Sequence, residues 1–156
     1  MIADRVQNFM ENQGVRFDLL EHPLTYTATQ TAQVSHVSGE SVAKAVLLRA
    51  EGDYLLAVLP ATRHIQLGRL GDWLGHPVML ASEEEAARMF PDCISGAIPA
   101  VGAAYGLPLV VDESLDTRSD IWFEAGDHRC LLHVSGEDFE RLMAGARHGR
   151  FSRHDA

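Results

Sequence analysis

The chain has 156 residues, 46% of them hydrophobic and 22% charged, which suits one domain with a sizeable core and an ordinary globular composition. A formal net charge of −9 excludes a broad nucleic-acid surface of the kind DNA binding needs, because phosphate binding requires clustered Lys and Arg, but it leaves room for a small contact with one nucleic-acid end. No apolar run approaches the ~20 residues that span a bilayer, Met1-Ile2-Ala3-Asp4-Arg5 is not a signal peptide, and Cys93 and Cys130 form no disulfide framework, so the expectation is a reduced, cytoplasmic protein without a membrane partner.

Ile2, Val6, Phe9 and Met10 recur at helical spacing, and Gly14 ends that pattern. Phe17, Leu19 and Leu20 predict a strand that stops at His22-Pro23. A polar, weakly amphipathic helix is predicted over Thr27 to Val37, closed by Ser38-Gly39. Val42 to Arg49 and Tyr54 to Leu59 read as a hairpin turned at Glu51-Gly52-Asp53. Leu67 to Leu74 is a short helix and Val78 to Leu80 a short strand. Ser82-Glu83-Glu84-Glu85 opens the next helix with a capping-box pattern. Pro91 to Gly106, rich in Gly, Pro and Ala, reads as a long ordered loop. Leu107 to Asp112, Asp120 to Glu124 and Cys130 to Val134 are further strands, and Ser135 caps a last helix over Glu137 to Ala144. Arg141, Arg147, Arg150 and Arg153, with His148 and His154, make the end of the chain locally basic, and a solvated, frayed tail is expected over 151–156 after a domain over 1–150. At least six short strands with interspersed helices and no repeat predict a mixed α/β or α+β single domain with a curled or closed sheet.

Lys44 is the one lysine in the chain, and it interrupts the apolar run Val42-Ala43-Lys44-Ala45-Val46-Leu47-Leu48. On period-two alternation it shares a strand face with Val42, Val46 and Leu48. A lone cation there suits a pocket that receives an anion, or a lysine near a strand start that snorkels to water or pairs with a carboxylate. Gly96-Ala97-Ile98-Pro99-Ala100-Val101-Gly102 is neither a dinucleotide fingerprint nor a phosphate-binding P-loop. It is a rigid loop whose backbone N–H groups suit a carbonyl oxygen or a carboxylate. His128, Cys130 and His133 lie close in sequence, but Cys130 and His133 would face opposite sides of a strand, so no metal site is expected. Cys93 lacks a cue for a lowered pKa and Ser95 lacks a nucleophile elbow. A hydrolase built on this chain would rely on positioning and backbone electrostatics.

In order along the chain, His22-Pro23 with Thr25 to Thr31, Gly39 to Leu48, Leu56 to Ala61, Ala81 to Glu85, Phe90 to Cys93, Gly96 to Gly102, Tyr105 to Pro108, Val111-Asp112 and Phe123 to Gly126 resemble the YbaK/prolyl-tRNA synthetase-associated domain family, over about residues 17 to 143. The resemblance implies a barrel-like mixed sheet flanked by helices and hydrolysis of wrongly charged aminoacyl-tRNA, in trans or as a synthetase insertion. It makes Lys44 the functional lysine, meeting the phosphate or ribose of the 3′-terminal adenosine. It places Gly96, Ala97 and Ile98 at the aminoacyl carbonyl, with His22, Thr25, Ala45, Pro99 and Gly102 completing the substrate site. Family members use a substrate hydroxyl and water in place of a protein nucleophile, which implies no cofactor.

Four departures bear on specificity. Pro99 is followed by Ala100 where the loop often has a second proline. Ala45 stands where some alanine-clearing members carry Asn. Leu20 and Leu131 occupy positions that hold Tyr and Asp in cysteine-clearing members. The expected reaction is ester hydrolysis at the 3′ end of a mischarged tRNA by a monomer, with a transient synthetase partner raising its effective concentration there. The alternatives are a non-catalytic module that holds aminoacyl-tRNA ends or a synthetase, and a small-molecule or metal-dependent hydrolase built on the histidines.

Overall fold

A computed structural model describes residues 1–154. The chain opens with helix α1 (Asp4–Gln13), whose Val6 and Met10, one turn apart, are fully buried. Gly14 takes the left-handed conformation (φ +64°) and its N–H closes the helix on Glu11 and Met10 carbonyls. Strand β1 (Asp18–Glu21) follows, then α2 (Ala28–Val34), capped where the Thr27 side chain accepts from the Gln30 N–H. This helix is shorter than predicted, because the chain turns out of it at His36, which has a φ of +57°.

Strands β2 (Ala43–Ala50) and β3 (Asp53–Pro60) form the predicted hairpin. Glu51 and Gly52 both have positive φ, +51° and +86°, and a two-residue turn with that signature matches the right-handed twist of the strands. After β4 (Arg63–Ile65) come α3 (Leu67–Leu74), β5 (Met79–Leu80) and α4 (Glu83–Met89). Both halves of the capping box on α4 form: Ser82 Oγ accepts from Glu85 N–H at 3.1 Å, and Glu85 Oε1 accepts from Ser82 N–H at 2.9 Å. The long loop holds a 3-10 turn at Gly102–Tyr105. Strands β6 (Leu109–Asp112), β7 (Asp120–Glu124) and β8 (Cys130–Ser135), helix α5 (Gly136–Leu142), β9 (Arg147–Gly149) and β10 (Ser152–His154) complete the chain.

The expected barrel is not found as a closed ring. The strands make a five-stranded mixed sheet (β5-β2-β3-β6-β9), a three-stranded antiparallel sheet (β1-β8-β7) and a two-stranded pair (β10-β4). A parallel bridge between Val42 and Trp122 joins the first two. Strand β3 is central, so both of its faces are covered and its whole sequence reads apolar. Leu56 and Val58 pack on the main core with Val6, Met10, Val111, Ile121, Phe123 and Leu132. Leu55, Ala57 and Leu59 pack on a second core with Leu48, Leu70, Val110 and Phe151.

The expected frayed tail does not hold for 151–154. Phe151 is fully buried and stacks on Trp73, and its N–H and the Ser152 hydroxyl both donate to the buried Asp112 carboxylate. Residues 155–156 lie outside the described part. Strands β4, β9 and β10 escaped sequence reading because Arg63-His64-Ile65, Arg147-His148-Gly149 and Ser152-Arg153-His154 are too short and too polar for an alternation to register.

Candidate active site

The bridge between Val42 and Trp122 fixes where the site forms. The two segments run parallel there, so two residues further on they reach Lys44 and Glu124. Both line a cavity of about 50 Å³ that opens where the strands part. Tyr26, Thr27, Ala28 and Thr31, at the start of α2, make one wall, and Gly96 and Ile98 of the long loop make another. On β7, Ile121 and Phe123 point into the core, so by alternation Glu124 points away from it. The antiparallel register pairs Glu124 with Leu131 and Leu131 with Leu20, a row across β7, β8 and β1 that shares one face. Leu20 and Leu131 are therefore direct cross-strand neighbours, and Leu131 lines the cavity.

The Lys44 ammonium is half-buried and donates to the Ala61 carbonyl at 3.5 Å. Gly96 is favoured as glycine by its φ of +83°, which lies in the left-handed region, and a Cβ there would make ordinary contact with His128 Nε2 at 3.4 Å. Among the described residues, no acceptor takes the N–H of Gly96 or of Ile98, whereas the Ala97 N–H donates to the Ile94 carbonyl at 2.9 Å. Two residues that line the cavity therefore carry N–H groups without an acceptor among the described residues, and Ala97 between them is fully buried.

His128 locks this loop. It is 5% exposed and has a φ of +60°, a strained conformation for a non-glycine residue in the β7–β8 turn. Its Nε2 lies 2.8 Å from the Ser95 carbonyl. A carbonyl can only accept, so Nε2 carries its hydrogen and Nδ1 is left facing Glu124 Oε1 at 3.8 Å. Glu124 Oε2 is buried with no hydrogen-bond partner. Burial, and then the charge of Asp127, push the Glu124 carboxyl up to about 7. Asp127 is itself held by the N-terminal ammonium and by the N–H groups of Arg129 and Cys130.

The remaining sequence-predicted residues fall into two groups. Lys44, Ala45, Gly96 and Ile98 meet at the cavity. His22, Thr25, Ala97, Pro99 and Gly102 do not line it. Thr25 stands one layer back, its hydroxyl 2.6 Å from that of Thr31 and its N–H on the His128 carbonyl. His22 anchors the β7–β8 turn through its N–H on Arg129 O, and its Nδ1 sits 2.7 Å from Pro23 O. Gly102 serves packing: a Cβ there would meet Leu109 Cδ2 at 2.8 Å and Leu56 Cδ2 at 3.0 Å. Sequence reading missed Tyr26, Thr31, Glu124 and His128. The available signal was Glu124-Ala125-Gly126-Asp127-His128, two ionisable groups four apart across a glycine-containing turn.

Cys93 is no nucleophile, since burial pushes its thiol up to about 11. His133 lies against Trp122 between Asp18 and Asp120, away from His128, and no group of three or more His, Cys, Asp or Glu able to hold a metal occurs among the described residues. A larger groove of about 480 Å³ runs along α3, where among the described residues Asp72 and His76 are the only ionisable side chains and glycines and apolar residues make up the rest. No described helix is long and apolar enough to cross a membrane.

Fold and cavity together define a small mixed-sheet domain in which Lys44, Glu124 and the loop residues Gly96 and Ile98 line a pocket sized for a small chemical group. The chain belongs to the aminoacyl-tRNA editing domain family, whose model matches residues 22–142. Among solved structures it is similar to a candidate trans-editing enzyme for prolyl tRNA synthetase, at 25% identity and TM-score 0.85 over 97% of this chain and 96% of that one. A protein from work on computational epitope backbone grafting onto scaffolds is equally similar, at 25% identity and TM-score 0.85 over 97% of each chain. A hypothetical protein shares the fold at 23% identity and TM-score 0.85, over 96% of this chain and all of that one. Comparison with curated proteins gives no match.

Proposed function

We propose that this protein is a cytoplasmic, monomeric deacylase acting in trans on mischarged aminoacyl-tRNA. The observation that carries the reading is that Lys44, Gly96 and Ile98 line one small cavity, the two loop residues with N–H groups that have no acceptor among the described residues, in a chain of the editing-domain family. Lys44 anchors the phosphate or ribose of the terminal adenosine. Gly96 and Ile98 N–H groups hold the ester carbonyl and stabilise the oxyanion that forms as water attacks, because donors fixed in place beforehand need no reorganisation at the reaction. A hydroxyl of the terminal ribose assists that water, in keeping with the unreactive Cys93. Tyr26, 74% exposed at the cavity wall, offers a face on which the terminal base stacks.

A cavity of about 50 Å³ backed by Leu131 favours a small aminoacyl side chain such as that of Ala, Ser or Cys. A net charge of −9 fits a contact limited to the acceptor end, with a shallow dependence on salt and a synthetase partner supplying local concentration. Deacylation of tRNAs carrying Ala, Ser, Cys, Thr or Pro, by wild type and Lys44→Ala side by side, tests the reading. The expected result is hydrolysis of at least one small substrate, reduced on the order of 10–100-fold in the variant, the worth of one charge-assisted hydrogen bond. Tight binding without turnover would replace the enzyme with a binding module. Turnover indifferent to Lys44 would remove the lysine from its centre.

A further inference from the structure

Glu124 has no part in the chemistry above, yet it is the one carboxylate lining the cavity. Its Oε2 is fully buried and accepts from nothing. A buried carboxylate oxygen without a donor is costly, and at the wall of a cavity a ligand is one way to complete it. The groups around it do not satisfy it. The His128 backbone N–H favours the carboxylate and offsets part of its burial but gives Oε2 no bond, His128 Nδ1 faces the other oxygen at 3.8 Å, Lys44 Nζ donates to the Ala61 carbonyl, Asp127 repels it, and Cys93 is a neutral thiol. What is missing is a compact donor, preferably cationic, entering from the cavity.

Every aminoacyl ester supplies one. Its α-ammonium lies two bonds from the ester carbonyl carbon, so a substrate whose carbonyl rests on the Gly96–Ile98 loop carries its ammonium within the same small cavity. We infer that the Glu124 carboxylate is the receptor for the α-ammonium of the substrate, so that the site reads a free amine as well as a small side chain. The inference rests on the deacylase reading and gives it a further selectivity. Peptidyl-tRNA and N-acylated aminoacyl-tRNA carry an amide at that nitrogen, which has no charge and more bulk, and Glu124 discriminates against both. A hydrolase with this filter leaves growing chains and N-blocked initiators intact.

The test uses acceptor-stem RNA hairpins ending in CCA, with a 3′-amide in place of the hydrolysable ester. One carries L-alanyl and the other propionyl, which differs by the loss of the amine alone. Affinities are measured by calorimetry for wild type, Glu124→Gln and Glu124→Asp, with thermal melts to confirm folding. Wild type is expected to prefer the alanyl hairpin by about 10–100-fold, the worth of one charge-assisted hydrogen bond. Glu124→Gln should bring the two within a few-fold, mainly by weakening the alanyl form, and Glu124→Asp should fall between. Equal binding of both hairpins by wild type, or a preference that survives Glu124→Gln, overturns the assignment while leaving deacylation standing. An equal loss for both hairpins in Glu124→Gln also overturns it, because that pattern belongs to a residue that only positions Lys44. No binding of either hairpin, with no hydrolysis of any charged tRNA, overturns the editing reading itself.

Discussion

Two glutamates in this chain meet opposite fates. Glu85, at the start of α4, has both oxygens occupied: Oε1 accepts from Ser82 N–H, and Oε2 accepts from the Tyr54 hydroxyl and from Arg49. Those bonds, with the backbone of Ser82 first among them, pull its carboxyl down to about 2. Glu124, at the end of β7, has one oxygen with no donor at all, and burial pushes its carboxyl up to about 7. The same side chain is thus a fastener in one place and a destabilised, waiting group in the other. Burial alone does not separate structural from functional carboxylates; the state of their hydrogen bonds does.

If that contrast is right, damage around Glu124 harms activity more than folding, and damage around Glu85 does the reverse. The largest effect is expected from Gly96→Val. A β-branched residue resists a φ of +83°, and its side chain presses on His128. Misaligning the loop N–H groups should lower deacylation on the order of 10²–10³-fold, while circular dichroism keeps the wild-type spectrum and stability falls by the strain of one residue, about 1–3 kcal/mol. Full activity in this variant would remove the loop from the chemistry.

Glu124→Gln sharpens the contrast from the stability side. A folded-state carboxyl near 7, against an ordinary 4.5, keeps its proton between those values while the unfolded chain releases it. The penalty is therefore absent below about pH 4.5, grows as pH rises toward 7, and is constant above. Glutamine never ionises, so the variant should be more stable than wild type at pH 8, by on the order of 3 kcal/mol for the full shift. The two should converge near pH 4.5. Denaturant unfolding at both values checks this, and a difference that does not change with pH would mean that Glu124 is not held in the low-dielectric setting described.

How much of this was legible beforehand follows the same physics. The β2–β3 hairpin, α3 and the capping box of α4 were readable because each is a local contract between neighbours: a Gly-containing turn between apolar runs, or a serine three residues before a glutamate. Lys44 and Gly96 were readable because each breaks a local pattern. Glu124 breaks none, since it sits at an ordinary outward position of β7. Its burial arises only when the Val42–Trp122 bridge brings β2 alongside, a contact about eighty residues apart that no local period reports. For His128 the sequence offers a metal ligand or a core-satisfied side chain, and its partner, the Ser95 carbonyl, is a long-range contact that no local pattern reports. Phe151 was missed for a related reason: a basic, short-strand tail looks solvated until Trp73 and Asp112 are in place to receive it.

The smallest predicted effect tests the Glu85 side. Ser82→Ala removes the hydroxyl that accepts from Glu85 N–H but leaves the Glu85 carboxylate its bonds to Ser82 N–H, Tyr54 and Arg49. The loss should be that of a helix cap, about 1 kcal/mol, read as a shift of the denaturant midpoint without a change in slope. Helix α4 leads through Phe90 into the loop that carries Gly96, so this variant also asks whether the cap transmits to the cavity. Cys93 N–H donates to Phe90 O and Ile94 N–H to Gly126 O, two bonds that fix the loop independently of the first turn of α4. Deacylation by Ser82→Ala should therefore match wild type at temperatures well below its unfolding transition. A drop of tenfold or more under those conditions would join the two regions that the glutamates otherwise hold apart.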